Sequence, residues 1–192
     1  MTKFWLYLIC FLHFSIAANS QEIEMVSSFH RGMGCRAEST GLVLKQNLIS
    51  MNFETFNSVL DPYISTSTAN TTCRWTGTFR VPSGYALVMR GGEFGGYYTL
   101  RDDTTSSIHS EISLDGNNSE ASSFMLNKNQ SQKFYHNSSR YVSLMKGNCG
   151  GISTVQLNVS MFVRSKSDDR NWVSRVDLRD LDIPYSLEKC SP

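Results

Sequence analysis

The chain has 192 residues, 40% hydrophobic and 18% charged, with a formal net charge of +1. That length suits one domain with a sizeable core. The near balance of charge excludes a basic nucleic-acid stripe or an acidic cation-binding block as its organising feature.

At the start, Lys3 precedes the apolar run from Phe4 to Leu12, which softens through Ile16-Ala17-Ala18-Asn19-Ser20. A charged start, a short apolar centre and a small-residue end form the pattern of a secretory signal peptide, read here as residues 1–20. The run is shorter than the roughly 20 apolar residues a membrane crossing needs, and His13 interrupts it. Cleavage after Ala18 or after Ser20 fits a small residue at the last position. No second long apolar run follows, so the mature chain is expected to be secreted, without a membrane span. Loss of Lys3 with the leader brings positive and negative charges into balance. Residues 21–33 carry little pattern and read as an irregular N-terminal arm. The domain proper is expected over 34–192.

The first strand candidates are Gly41–Lys45, a weaker one, and Ile49–Glu54, which turns Ile49, Met51 and Phe53 inward. Arg74–Val81 follows, with Trp75, Phe79 and Val81 on one side. Weaker candidates are Tyr85–Arg90, Tyr97–Arg101, Ile108–Leu114, Ser122–Leu126 and Tyr141–Met145. The clearest strand is Val155–Val163, where Val155, Leu157, Val159, Met161 and Val163 alternate with mostly polar residues. Such period-two patterning is a strand with one buried face. Trp172–Leu178 is the last candidate. Turn formers separate these segments at Val81-Pro82-Ser83-Gly84, Gly91-Gly92, Asp115-Gly116-Asn117-Asn118 and Gly147–Gly151. Many short strands without helical patterning predict an all-β domain, a single β-sandwich or jelly-roll.

Cys10 leaves with the leader, and Cys35, Cys73, Cys149 and Cys190 remain. An even set in an exported chain predicts two disulfides. Three pairings are open and the sequence does not choose among them. The preferred one joins Cys35 to Cys73 and Cys149 to Cys190, each closing a loop of roughly 40 residues worth about 3–4 kcal/mol in the chain-entropy model. No pair has C-x-x-C spacing, so a zinc site is disfavoured. Five Asn-x-Ser/Thr acceptors begin at Asn70, Asn117, Asn129, Asn137 and Asn158. Asn158 falls between the inward Leu157 and Val159 and therefore points out. The other four lie outside the predicted strands.

Little in the sequence points to catalysis or a cofactor. His30, His109 and His136 lack metal-ligand spacing. No Gly-x-Ser-x-Gly elbow is present. Asp102-Asp103 and Asp168-Asp169 are adjacent pairs, which on a strand face opposite sides, so both read as solvated turns. Gly91-Gly92-Glu93-Phe94-Gly95-Gly96 lacks the lysine and helix of a phosphate loop and reads as a hairpin or bulge. Tyr97, Tyr98, Tyr135, Tyr141 and Trp172 could stack on sugars, though packing is their commoner fate.

Several of these features recur together elsewhere. Gly34-Cys35 opens the domain, Asn52-Phe53-Glu54-Thr55-Phe56 follows, and Cys73 precedes Val81-Pro82-Ser83-Gly84-Tyr85. Then come Phe94-Gly95-Gly96-Tyr97-Tyr98-Thr99-Leu100, Cys149-Gly150-Gly151, the strand Leu157–Arg164 and a last cysteine, Cys190. Over residues 32–190 this resembles the small secreted proteins of the domain-of-unknown-function family 4360. Cys149 is preceded by Lys146-Gly147-Asn148, where that family usually has Trp-Ser-Pro. The resemblance implies a secreted, disulfide-bonded β protein and supplies no catalytic residues, because the family has no established activity.

The sequence is thus expected to encode a glycosylated, non-enzymatic extracellular protein acting by surface contact. Its partner is an unidentified protein or glycan, with no nucleic acid, metal or cofactor. A lectin-like carbohydrate-binding module is the alternative, and a secreted hydrolase with dispersed residues a further one.

Overall fold

Alternating burial runs through most of the chain, and the fold is what that alternation builds. The computed structural model describes residues 22–191, apart from 62, 64, 65, 102, 117, 128, 129, 141, 142 and 167–172. The predicted leader, the acceptors Asn117 and Asn129, and Asp102, Tyr141, Asp168, Asp169 and Trp172 lie outside the described residues. The strands are β1 (Glu24–Arg31), β2 (Thr40–Lys45), β3 (Leu48–Phe53), β4 (Asn57–Leu60), β5 (Thr68–Met89) and β6 (Glu93–Leu100). They continue with β7 (Thr104–Leu114), β8 (Asn118–Asn127), β9 (Gln130–Asn137), β10 (Met145–Ser165) and β11 (Ser174–Lys189).

All pairings are antiparallel, and they form the two layers of a β-sandwich. In the first, β5 lies between β1 and β10, followed by β7 and β8. In the second, β11 has β3 and β4 on one side and β6 on the other, with β2 and β9 outermost. The C-terminal part of β11 leaves the second layer and pairs Tyr185–Lys189 with Met89–Tyr85 of β5, so one ladder runs through both layers. The chain is therefore all-β, a single sandwich, and two disulfides staple it: Cys35–Cys73 and Cys149–Cys190.

One core fills the interior. Trp75 and Phe79 of β5, Leu157, Val159 and Met161 of β10, Ile108 and Ile112 of β7 and Val176, Leu178 and Leu181 of β11 are buried in it. Burying a side chain of this size is worth about 1.5–3 kcal/mol. The inner-layer alternation that marked Val155–Val163 runs from Ser153 to the end of the 21-residue β10 and is broken before Ser153.

Residues 21–33 are not an irregular arm. Residues 24–31 form β1, paired with Arg74–Arg80 of β5. The sequence hides this strand because β1 is an edge strand exposed at almost every position, so no hydrophobic alternation marks it. Val81-Pro82-Ser83-Gly84 does not end a strand either. β5 continues through it, and the irregularity shows in its partner as register shifts of β10 between Lys146 and Gly151.

Candidate functional site

Alternation turns every second residue of the first layer outward, and register lines these residues up across strands. One row reads Arg31 on β1, Arg74 on β5, Asn158 on β10 and Glu111 on β7, each the direct partner of the next. The adjacent row reads Thr72, Ser160, His109 and Ser123. All of these but Ser123 line an open groove of about 540 Å³ that also takes in Gly32.

The groove is held by its own polar contacts. The Arg74 guanidinium donates through Nε to Asn158 Oδ1 at 2.8 Å. Asn158 Nδ2 donates in turn to Glu111 Oε2 at 3.3 Å. His109 Nδ1 and Ser123 Oγ share a hydrogen bond of 2.7 Å. His109 and Glu111 are two apart on β7 and face the same side. A histidine and a carboxylate therefore share one groove, each with a separate partner. Phe29 of β1, opposite Thr76 in the next row, is 62% exposed.

The other histidines are elsewhere. His30 faces inward on β1, and burial lowers its pKa. His136 stacks on Phe124 with ring centroids 4.0 Å apart, and burial likewise lowers its pKa. Among the described residues, no group of three His, Cys, Asp or Glu side chains is placed to hold a metal ion. Nor, among the described residues, is any helix long and apolar enough to cross a membrane.

The tyrosines divide between the core and the second layer's outer face. Tyr98 is buried against Phe134. Tyr97 and Tyr135 are exposed on the outer face of β6 and β9. The Tyr135 phenol donates to Glu93. That hydrogen bond, with partial burial and the charges of Glu93 and Asp182, pushes its pKa up to about 12 against the opposing pull of Arg140. Asp103, read as a solvated turn residue, accepts from Ser165 Oγ at 2.9 Å and so closes the β7 end onto β10.

Of the glycosylation acceptors, Asn70 is exposed on β5 and stands opposite Phe162, on the same outer face as the groove. It lies within a strand, not outside one. Asn137 ends β9, and its Nδ2 donates to Glu93 at 2.7 Å. Asn158 points outward as alternation requires, into the groove itself.

The groove row was not visible as a set in the sequence. Arg74 and Asn158 are 84 residues apart, Asn158 and Glu111 47. Only the register brings them together, and Arg31 came from a segment with no strand signal.

Comparison with solved structures finds distant likenesses. One is the structure of TmCBM61 in complex with beta-1,4-galactotriose, at 14% identity and TM-score 0.31, covering 87% of this chain and 91% of that one. Another is a family two carbohydrate esterase from Cellvibrio japonicus, at 10% identity and TM-score 0.22, covering 86% and 36%. At TM-scores this low the likenesses carry no argument about function. No curated protein matches the sequence. The signature described as Domain of unknown function (DUF4360) matches residues 21–188, taking in β1, the three cysteines Cys35, Cys73 and Cys149, and most of β11. The chain belongs to the DUF4360 family, a domain of unknown function.

Proposed function

We propose that the protein is exported, loses residues 1–20, and works outside the cell as a glycosylated binding protein whose contact surface is the outer face of the first layer. The observation that carries this reading is the groove, where Arg74, Asn158 and Glu111 hold one another across three adjacent strands. Side chains fixed on strands and supported by neighbours present a ligand with pre-set donors and acceptors, which lowers the ordering cost of binding. The two disulfides are compatible with an oxidising compartment. Among the described acceptors, the exposed Asn70 is the best placed to carry a glycan, because the Asn137 and Asn158 amides are already engaged.

A test uses an obstruction in the groove. The secreted protein and its Ser160→Trp variant are screened on a glycan array and a panel of extracellular matrix proteins. Binding by the native protein that the tryptophan abolishes supports the reading. Absence of any binding, or binding indifferent to the tryptophan, overturns it.

The His109–Ser123 hydrogen bond favours a second reading, a hydrolase in which His109 takes the Ser123 hydroxyl proton. Turnover of p-nitrophenyl acetate that Ser123→Ala eliminates would support it. Equal rates for the two proteins count against it.

A further inference from the structure

We infer that the groove binds a polysaccharide bearing carboxylates, a uronate polymer, with Arg31 and Arg74 as the anion clamp. The inference rests on the reading of this face as the contact surface and adds the chemistry of the ligand.

Arg31 and Arg74 stand directly opposite each other on β1 and β5. Like charges so placed repel and weaken the pair of strands unless something neutralises them. Among the described residues no acid does so. Among the described residues the Arg31 side chain has no partner, and Arg74 bonds only to the neutral Asn158 amide. Glu111 reaches the pair only through that amide. Arg74 is thereby oriented through its Nε while its two terminal amino groups stay available. A planar fork held in this way, beside a second guanidinium, matches a carboxylate.

The rest of the groove favours a sugar as the carrier of that carboxylate. Thr72, Ser160 and His109 offer hydroxyl and imidazole partners along the next row. Glu111 accepts from hydroxyls and repels a second carboxylate, so the ligand must space its charges among hydroxyl groups. Phe29, on the same side of β1 as Arg31, presents an exposed ring to an apolar sugar face. The groove is open along its length and of ligand size, at about 540 Å³, which admits a chain.

The test is calorimetric titration of the secreted protein with polygalacturonate, with the same polymer fully methyl-esterified, and with polyglutamate. Polygalacturonate is expected to bind best, and Arg31→Gln and Arg74→Gln each to weaken it about tenfold, as loss of one charge-assisted contact implies. Melting temperatures no lower than the native protein's confirm that the two variants fold, and relief of the paired charges should raise that of Arg31→Gln. Affinity should fall as salt is raised. Equal binding of the methyl ester, stronger binding of polyglutamate, or indifference to both substitutions overturns the inference. So does a peptide map with a glycan on Asn158 in most copies, because that glycan would fill the groove. Methyl-ester binding lost in Ser160→Trp overturns the anionic ligand but keeps the contact face. Polygalacturonate binding that survives Ser160→Trp overturns both.

Discussion

Tyr135 shows how much of a residue's behaviour is set by its cross-strand neighbours. Its ring stands on β9 opposite Gly95, which leaves the phenol room to reach Glu93 two residues away on β6. Ionising the phenol would break that hydrogen bond and place an anion beside Glu93 and Asp182, so its pKa rises to about 12. The folded value lies above the unfolded one. The contribution to stability is therefore complete below the ordinary tyrosine range and is lost as pH rises through about 12. Following the ring signals by NMR during an alkaline titration should show Tyr135 ionising late. Glu93→Gln should bring its midpoint down toward 10, the ordinary tyrosine value; an unmoved midpoint would refute the assignment. Asn158 makes a parallel point about what a sequence discloses. Its outward direction followed from Leu157 and Val159 alone. That it bridges Arg74 and Glu111 did not, because both partners arrive from distant strands whose register no local pattern specifies.

Among the elements, β11 was read only in its first part, to Leu178, yet it pairs with β3, β4, β5 and β6. Its first half carries a bulge: Leu178 faces Gly96 and Asp180 faces Gly95, with Arg179 extra between them. The bulge brings the Asp177 carbonyl against Gly96, where an added Cβ would collide with that oxygen and approach the Phe134 ring to 2.7 Å. Backbone cannot move aside as a side chain can, so Gly96→Ala should destabilise by about 3 kcal/mol. Gly95→Ala should be milder, because its nearest neighbour is the Asp180 carboxylate at 3.6 Å. Urea unfolding of the two variants checks this, and equal midpoints would remove the argument from close approach. The glycine run was legible as a bulge signal, yet the bulge itself sits on the partner strand. Beyond Leu178 the alternation of Leu181, Ile183 and Tyr185 with Asp180 and Asp182 is present, but Pro184 speaks against a central strand. It is tolerated because it stands opposite Leu48, where β3 begins. The strands with one buried face, β3 and β10, were legible. The exposed edge strand β1 was not.

At the level of the whole molecule the two disulfides have different tasks. Cys35–Cys73 lies wholly within the core, fastening the segment after β1 to β5. Cys149–Cys190 sits at the surface, fastening the irregular stretch of β10 to the end of β11, just where β11 crosses to pair with β5. Each closes a loop of similar size, 38 and 41 residues apart in sequence, so loop closure alone ranks them equally at about 3–4 kcal/mol. Burial separates them. Removing the first pair also strips packed sulfur from the core, so Cys35→Ala with Cys73→Ala should cost more than Cys149→Ala with Cys190→Ala. Access separates them too, because a reductant must reach the sulfur it attacks. Mild reduction of the folded protein followed by alkylation should therefore label Cys149 and Cys190 first and leave Cys35 and Cys73 unlabelled until the sandwich unfolds. The partly reduced species should keep its near-ultraviolet circular dichroism from Trp75, since β1, β5 and β10 stay clamped around that ring. Labelling of Cys35 and Cys73 at the same rate would mean that the interior opens as readily as the edge, and the rigid face required for binding would be lost with it.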